Sequence, residues 1–138
     1  MKVRCLIDPT ADQVRRLRDQ GREGPITMVN LLKFNSSAVY PEGCNEPERK
    51  GEEAYKVYEY VFVTTLQPLS KAEIIYDTDV EQVFIGSNAE DWDRILIVKY
   101  PSRNHFLAMM RDETYQAALV HRYAALERTV ILQCAPDS

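Results

Sequence analysis

Apolar positions recur along this chain with two different periods, and the switches between them predict the order of its elements. From Ile26 to Phe34 the period is two. Ile26, Met28, Leu32 and Phe34 share one face with Asn30 among them, and Thr27, Val29, Leu31 and Lys33 share the other, which is a strand. From Gly51 to about Leu69 the period is 3.6. Ala54, Tyr55, Tyr58, Val61, Phe62, Thr65, Leu66 and Leu69 form one broad apolar stripe, predicting a helix against the strand preference of its β-branched Val-Phe-Val-Thr-Thr segment. Ala72 to Ile85 alternates in part and reads as a long strand or hairpin, with a turn from Gly86 to Asp91.

The last third repeats the theme. Ile95 to Val98 is a short β-branched run, a buried strand that stops at Tyr100-Pro101-Ser102 because proline has no N–H for a sheet. Ser102 is a good N-cap for a helix carrying Phe106, Leu107 and Met110 on one side. Asp112 caps a second helix, from about Glu113 to Leu126, whose wheel places Tyr115, Ala118, Leu119 and Leu126 on one apolar face. Thr129 to Cys134 is the closing strand.

Upstream, Val3 to Ile7 reads as a short edge strand. Thr10 caps a charged, mostly exposed helix within residues 9–20, ended by Gly21. Residues 35–50 form a polar loop, longer than most connections in compact domains and of a kind that is usually either disordered or a lid. Apart from the extra first helix, the order is strand, helix, strand, strand, split helix, strand. That is an α+β, ferredoxin-like βαββαβ plan, with helices on one face of an antiparallel sheet. The other sheet face is left apolar, and a twofold homodimer, sheet against sheet, covers it at least cost.

Composition narrows the function. With 138 residues the chain reads as one domain, residues 1–138, large enough for a proper core. A net charge of -4 argues against nucleic acid and acidic membranes as partners. No run approaches the roughly 20 apolar residues of a membrane span, and the first apolar run is cut off by Asp8-Pro9. Three unspaced cysteines are no disulfide framework, so a cytoplasmic location is expected. With two histidines and no paired-cysteine motif, no protein-made metal site is expected.

The candidate chemistry comes from polar residues that break apolar faces. Arg122 falls in the middle of the late helix face, and a core-facing arginine keeps its charge and calls for an anion or a fan of carbonyls. It could clamp a substrate carboxylate, or it could pair with Asp93 or another carboxylate of the fold. His121, at the edge of that face, is the candidate general acid or base, with service to the helix dipole as the structural alternative. Asn30 could donate to a developing oxyanion or bond neighbouring backbone. Tyr55, Tyr58 and Tyr115 could line a pocket for a flat or aromatic ligand or simply fill the core.

Four motifs carry a resemblance. They are Met28-Val-Asn-Leu-Leu-Lys-Phe34, the Gly51-x-x-Ala-Tyr-x-x-Tyr58 helix start, Glu90-Asp91-Trp92-Asp93 with Tyr100-Pro101-Ser102-Arg103, and Asp112-x-x-Tyr115 followed by His121-Arg122. Over roughly Pro9 to Cys134 the chain resembles the domain of unknown function 1330 family, of the dimeric α/β-barrel superfamily. The resemblance implies the fold and the homodimer, and no established reaction. It departs in the long loop 35–50 and in a first-helix region rich in tyrosine. Arg103, in the Tyr-Pro-Ser-Arg element, joins Asn30, Tyr55, Tyr58, Tyr115 and Arg122 as a ligand-binding candidate, with His121 as the catalytic one. Superfamily relatives include isomerases, cyclases and cofactor-independent oxygenases, so one expectation is a metal-free enzyme acting on a small carboxylate- or carbonyl-bearing compound. The other is a non-catalytic dimeric module that binds a metabolite or is purely structural. No cofactor is predicted, and haem and flavin are left open.

Overall fold

The period-two strand at the centre of the pattern is also the centre of the sheet. In the computed structural model, which describes residues 6–136, β1 (Ile26–Phe34) pairs antiparallel with β3 (Arg94–Tyr100) on one side and β4 (Leu126–Cys134) on the other. β2 (Glu73–Asp79) pairs antiparallel with the outer side of β3, giving the order β2-β3-β1-β4. This is the ferredoxin-like arrangement. The register sets Met28 opposite Val98 and Asn30 opposite Leu96, so these four side chains share the face that the helices cover.

Three helix starts obey their caps. Thr10 opens α1 (Ala11–Gln20) with a capping box, its hydroxyl accepting from Gln13 N–H while the Gln13 side chain accepts from Thr10 N–H. Ser102 accepts from His105 N–H at the start of α4 (Arg103–Arg111). Asp112 accepts from the Thr114 and Tyr115 N–H groups at the start of α5 (Glu113–Ala125). α1 buries none of its residues, as its charged composition predicts.

The long helix keeps its 3.6 period but not its regularity. α2 (Gly51–Val61) runs into a π-helical turn, Phe62–Leu66, and then into the short α3 (Gln67–Ser70). The cause is written in the sequence. Pro68 cannot donate to the carbonyl one turn back and its ring crowds that carbonyl, and widening the preceding turn by one residue relieves both. Gln67 N–H accordingly donates to the Phe62 carbonyl, five residues back.

Other boundaries move too. β2 ends at Asp79, so the strand or hairpin expected to Ile85 is half its length, and residues 80–87 are irregular before a 3₁₀ turn, Asn88–Glu90. β4 starts at Leu126, three residues earlier than the β-branched run suggests, because Leu126 is buried opposite Phe34. Most of the expected Val3–Ile7 strand lies outside the described residues; Leu6 and Ile7 are in a turn, where the Leu6 carbonyl accepts from Thr129 N–H.

The core lies between sheet and helices. Ile26, Met28, Leu32 and Val98 of the sheet are buried beneath Ala54, Tyr55 and Tyr58 of α2 and Ala118, Leu119 and Ala125 of α5. Each fully buried aliphatic side chain contributes about 1.5–3 kcal/mol. Ala54, Ala124 and Ala125 have no exposure at all, and their small size lets α2 and α5 approach closely. Gly51 is part of the same approach. A Cβ there would sit 2.7 Å from the Ala125 carbonyl oxygen and closer still to that of Asn35.

The outer face of the sheet is different. Val29, Leu31, Ile95, Ile97, Val130 and Leu132 point away from the helices by strand alternation, and none of them is fully buried.

Candidate functional site

The site begins with a gap in the core. Strand β1 brings Asn30 to the helix-covered face where a hydrophobic residue would otherwise stand. Above it a cavity of about 60 Å³ opens between the sheet and helices α2, α4 and α5. Tyr55, Tyr58, Tyr115 and Arg122 reach it together with Asn30, so five sequence candidates meet at one place. Each arrives by helical spacing: Tyr55 and Tyr58 stack on one stripe of α2, and Tyr115 lies two turns before Arg122 on α5.

Asn30 spends its amide hydrogens on the main chain. Its Nδ2 donates to the Leu96 carbonyl at 3.0 Å and to the Met28 carbonyl at 3.3 Å. The backbone-bonding alternative is therefore the one realised, and the part of this amide left over is an acceptor oxygen. The structure thus departs from the oxyanion-donor expectation, because both N–H groups are already used.

Arg122 is buried at 6% exposure and donates to the Ile7 carbonyl at 3.1 Å. The pairing with Asp93 considered from the sequence does not occur. Asp93 instead accepts from Phe34 N–H at 2.8 Å and from Lys33 at 3.3 Å. Among the described residues no carboxylate forms an ion pair with Arg122; Asp8 acts on it only at longer range and accepts from the Tyr123 hydroxyl at 2.9 Å. An arginine cannot give up its proton, so the cavity wall holds a fixed positive charge.

The tyrosines set the polarity of the rest. Tyr55 and Tyr58 lie with ring centroids 5.5 Å apart, and Tyr58 meets Tyr115 edge to face at 6.4 Å. Burial pushes the hydroxyls of Tyr55, Tyr58 and Tyr115 upward, so all three are neutral donors at physiological pH. Most of each ring fills core, and the hydroxyls supply the polar spots of an otherwise apolar wall.

One member of the site was not singled out from the sequence. Glu59 lines the cavity, and its Oε1 is buried without a hydrogen-bond partner. Arg94 of β3 stands 3.5 Å from that oxygen, near enough to pair in charge but not to bond, and commits its Nε to Asp77 of β2 at 2.7 Å. Burial pushes the Glu59 carboxyl above its usual range; Arg94 works against that and Asp77 reinforces it. A sequence signal existed. Glu59 sits four residues after Tyr55 and three before Phe62, an acid inside the apolar stripe of α2.

Two candidates lie elsewhere. Arg103 pairs with Glu23 at 3.1 Å, and its aliphatic stem covers Gly21 at the end of α1. His121 turns to loop 35–50, where its Nδ1 is 2.8 Å from the Tyr40 hydroxyl and its Nε2 is 3.9 Å from Glu46. Arg49 completes that cluster, donating to Tyr40 at 2.8 Å and to Glu46 at 3.0 Å. A wider polar depression of about 420 Å³ beside Lys33, Lys50 and Asp93 is open to solvent, and Lys33 is already neutralised by Asp91 and Asp93. It offers an anion little.

Among the described residues no group of side chains has the make-up of a metal site, and no helix is long and apolar enough to cross a membrane.

The fold has close counterparts among solved structures. The crystal structure of methylated RPA0582 protein is 35% identical, with a TM-score of 0.86 over 96% of this chain and 95% of its own. A second crystal structure of RPA0582, described as a protein of unknown function from Rhodopseudomonas palustris, is 33% identical, with a TM-score of 0.85 over 96% and 97% of the two chains. A protein of Caulobacter crescentus CB15, provisionally described as an antibiotic biosynthesis monooxygenase, shares the fold at 14% identity, with a TM-score of 0.54 over 84% and 92%. No curated protein matches the chain. The family model described as domain of unknown function (DUF1330) matches residues 45–134, which carry α2, β2, β3, α4, α5 and β4, and the chain belongs to that family.

Proposed function

We propose that this protein binds a small organic compound through a carboxylate or carbonyl oxygen, in the cavity between its sheet and its helices. The observation that carries the reading is Arg122, a buried cation on the cavity wall whose hydrogen bonding to the described protein is a single main-chain carbonyl. Such a group is costly to bury and gains most from an anionic or polarised oxygen brought to it. Tyr58 and Tyr115 would donate beside it, and the Asn30 oxygen would accept a hydroxyl of the ligand. The size of the cavity limits the guest. About 60 Å³ is well below the ~150 Å³ that accepts a benzene ring. A head group of a few heavy atoms suits it better than a whole aromatic ring, one form of the flat or aromatic ligand that the three tyrosines suggest from sequence.

The reading includes a homodimer. The outer sheet face, with Val29, Leu31, Ile95, Ile97, Val130 and Leu132, is a continuous apolar surface that the described helices leave uncovered. A second copy laid across it would bury these side chains and produce the dimeric barrel of the superfamily. A metal-free isomerase, cyclase or cofactor-independent oxygenase is consistent with such a cavity, and a metabolite-binding module is its non-catalytic counterpart.

The test is a binding panel read by protein NMR. Acetate, pyruvate and acetoacetate should shift resonances of Asn30, Tyr58 and Arg122 saturably, and acetamide should do so more weakly. Arg122→Gln should abolish the carboxylate preference, with Arg122→Lys retaining part of it. A folded wild type that responds to none of these compounds, or whose response is indifferent to Arg122→Gln, overturns the reading.

A further inference from the structure

We propose that Glu59 is the catalytic acid–base of this cavity, and that its substrate is a small carbonyl compound bearing a removable proton on the carbon next to the carbonyl. The proposal rests on the binding reading above and adds a reaction to it.

Geometry comes first. The Glu59 side chain reaches the cavity from the last turn of regular helix before the π segment, and Phe62, the first π residue, lines the same cavity. π-bulges of this kind are frequent at functional sites. Its buried Oε1 carries a lone-pair demand that no described protein group meets by a hydrogen bond. Buried polar atoms are almost always bonded, and the nearest partner of this one is the Arg94 guanidinium at 3.5 Å, so the carboxylate is held by charge rather than by a hydrogen bond.

The charges around Glu59 come from every element that packs there. Arg94 of β3 is the nearest cation, at 3.5 Å, and is shared with Asp77 of β2. On its own helix, Lys56 favours the carboxylate and Glu52 opposes it. Across the cavity stand Asn30 of β1 and Tyr115 and Arg122 of α5. A carboxyl held above its usual range by burial, yet kept within reach of a cation, exchanges its proton nearer neutrality than a free glutamate does.

Glu59 and Arg122 divide the work of an enolisation. Arg122 holds the carbonyl oxygen. Glu59 as carboxylate takes the proton from the neighbouring carbon, the C–H electron pair becomes the carbon–carbon double bond, and the carbonyl π pair moves onto the oxygen at Arg122. The protonated Glu59 then returns the proton, to the same carbon or to one conjugated with it. As the oxygen pair re-forms the carbonyl, return to the same carbon exchanges its hydrogen and leaves the compound otherwise unchanged, return to a conjugated carbon isomerises it, and neither route consumes an oxidant, reductant or second substrate. The small cavity favours a short 2-oxo acid or 1,3-dicarbonyl head, whose C–H is acidic enough for one carboxylate.

The experiment follows loss of the C3 proton signal of 2-oxobutanoate, and of the C2 signal of acetoacetate, by NMR in deuterated buffer with the full-length protein. The wild type should speed exchange of at least one probe above buffer, with a rate that rises as Glu59 loses its proton, at a pH above the ordinary glutamate range. Glu59→Gln should cut the catalysed rate about 100-fold or more, the usual range for a lost acid–base group, while the probe still shifts Arg122. Glu59→Asp should restore part of the rate. Binding without exchange above buffer, or equal exchange by wild type and a folded Glu59→Gln, overturns the acid–base role and leaves the binding reading standing. No binding by either protein removes both.

Discussion

The Tyr40 hydroxyl meets His121 Nδ1 at 2.8 Å, edge of one ring to the other, and so ties the middle of loop 35–50 to helix α5. Arg49 also donates to the Tyr40 oxygen, so this one hydroxyl joins α5 to the far end of the loop. The loop that sequence composition marks as either disordered or a lid is therefore fastened, at Tyr40 and by two backbone bonds, Ala38 N–H to the Arg49 carbonyl and Val39 N–H to the Ala124 carbonyl. Tyr40→Phe should cost about 1–2 kcal/mol in urea unfolding and speed amide exchange at Ala38 and Val39. Unchanged exchange there would mean that the backbone bonds alone hold the loop.

Glu59 makes stability depend on pH in a definite sense. Burial raises its folded-state pKa above the ordinary value of 4.5, so the folded chain binds this proton more tightly than the unfolded one. The contribution is fully present below the unfolded pKa and is lost as pH rises through the folded one. Glu59→Gln cannot lose it. The melting temperature of this variant relative to wild type should be higher at pH 7 than at pH 4, and thermal melts at the two values check the sign. An equal difference at both would show that Arg94 fully offsets the burial.

Gly51 tests the packing of α2 on the rest of the protein. Gly51→Ala would improve helix propensity in isolation, yet its methyl would press on the Asn35 and Ala125 carbonyls. Overpacking of this kind costs about 1–3 kcal/mol. Denaturant unfolding should show a net loss; a stabilised variant would mean that loop 35–50 yields freely.

The proposed dimer has its own test. Ile97 lies on the outer sheet face, opposite Val29 in the register. Ile97→Glu puts a charge into that surface, and light scattering should find single protomers where the wild type gives pairs. A wild type that already runs as a protomer at micromolar concentration sinks the dimer without touching the cavity.

Much of the architecture is legible from local pattern. β1 has the bounds its alternation predicts, and Thr10, Ser102 and Asp112 cap the helices they precede, because caps and periods are satisfied by neighbours in sequence. The wheel of α5 turns Tyr115, Ala118, Leu119 and Arg122 inward, and all four are buried. Pattern fails where a distant contact decides. Leu126 joins β4 because Phe34 lies opposite it, and Asp79 ends β2 while the alternation of residue types runs on.

Sequence therefore determined the elements, their order and the apolar faces on which Asn30 and Arg122 stand out, since each depends on spacing within one segment. Tertiary structure alone decided what those residues face. It gave the Asn30 hydrogens to Leu96, set Ile7 beside Arg122, turned His121 out to Tyr40 and brought Glu59 to the cavity beside Arg94. Hydrogen bonds and charges act over a few ångströms of space whatever the separation along the chain, and no period records which distant residues will share those ångströms.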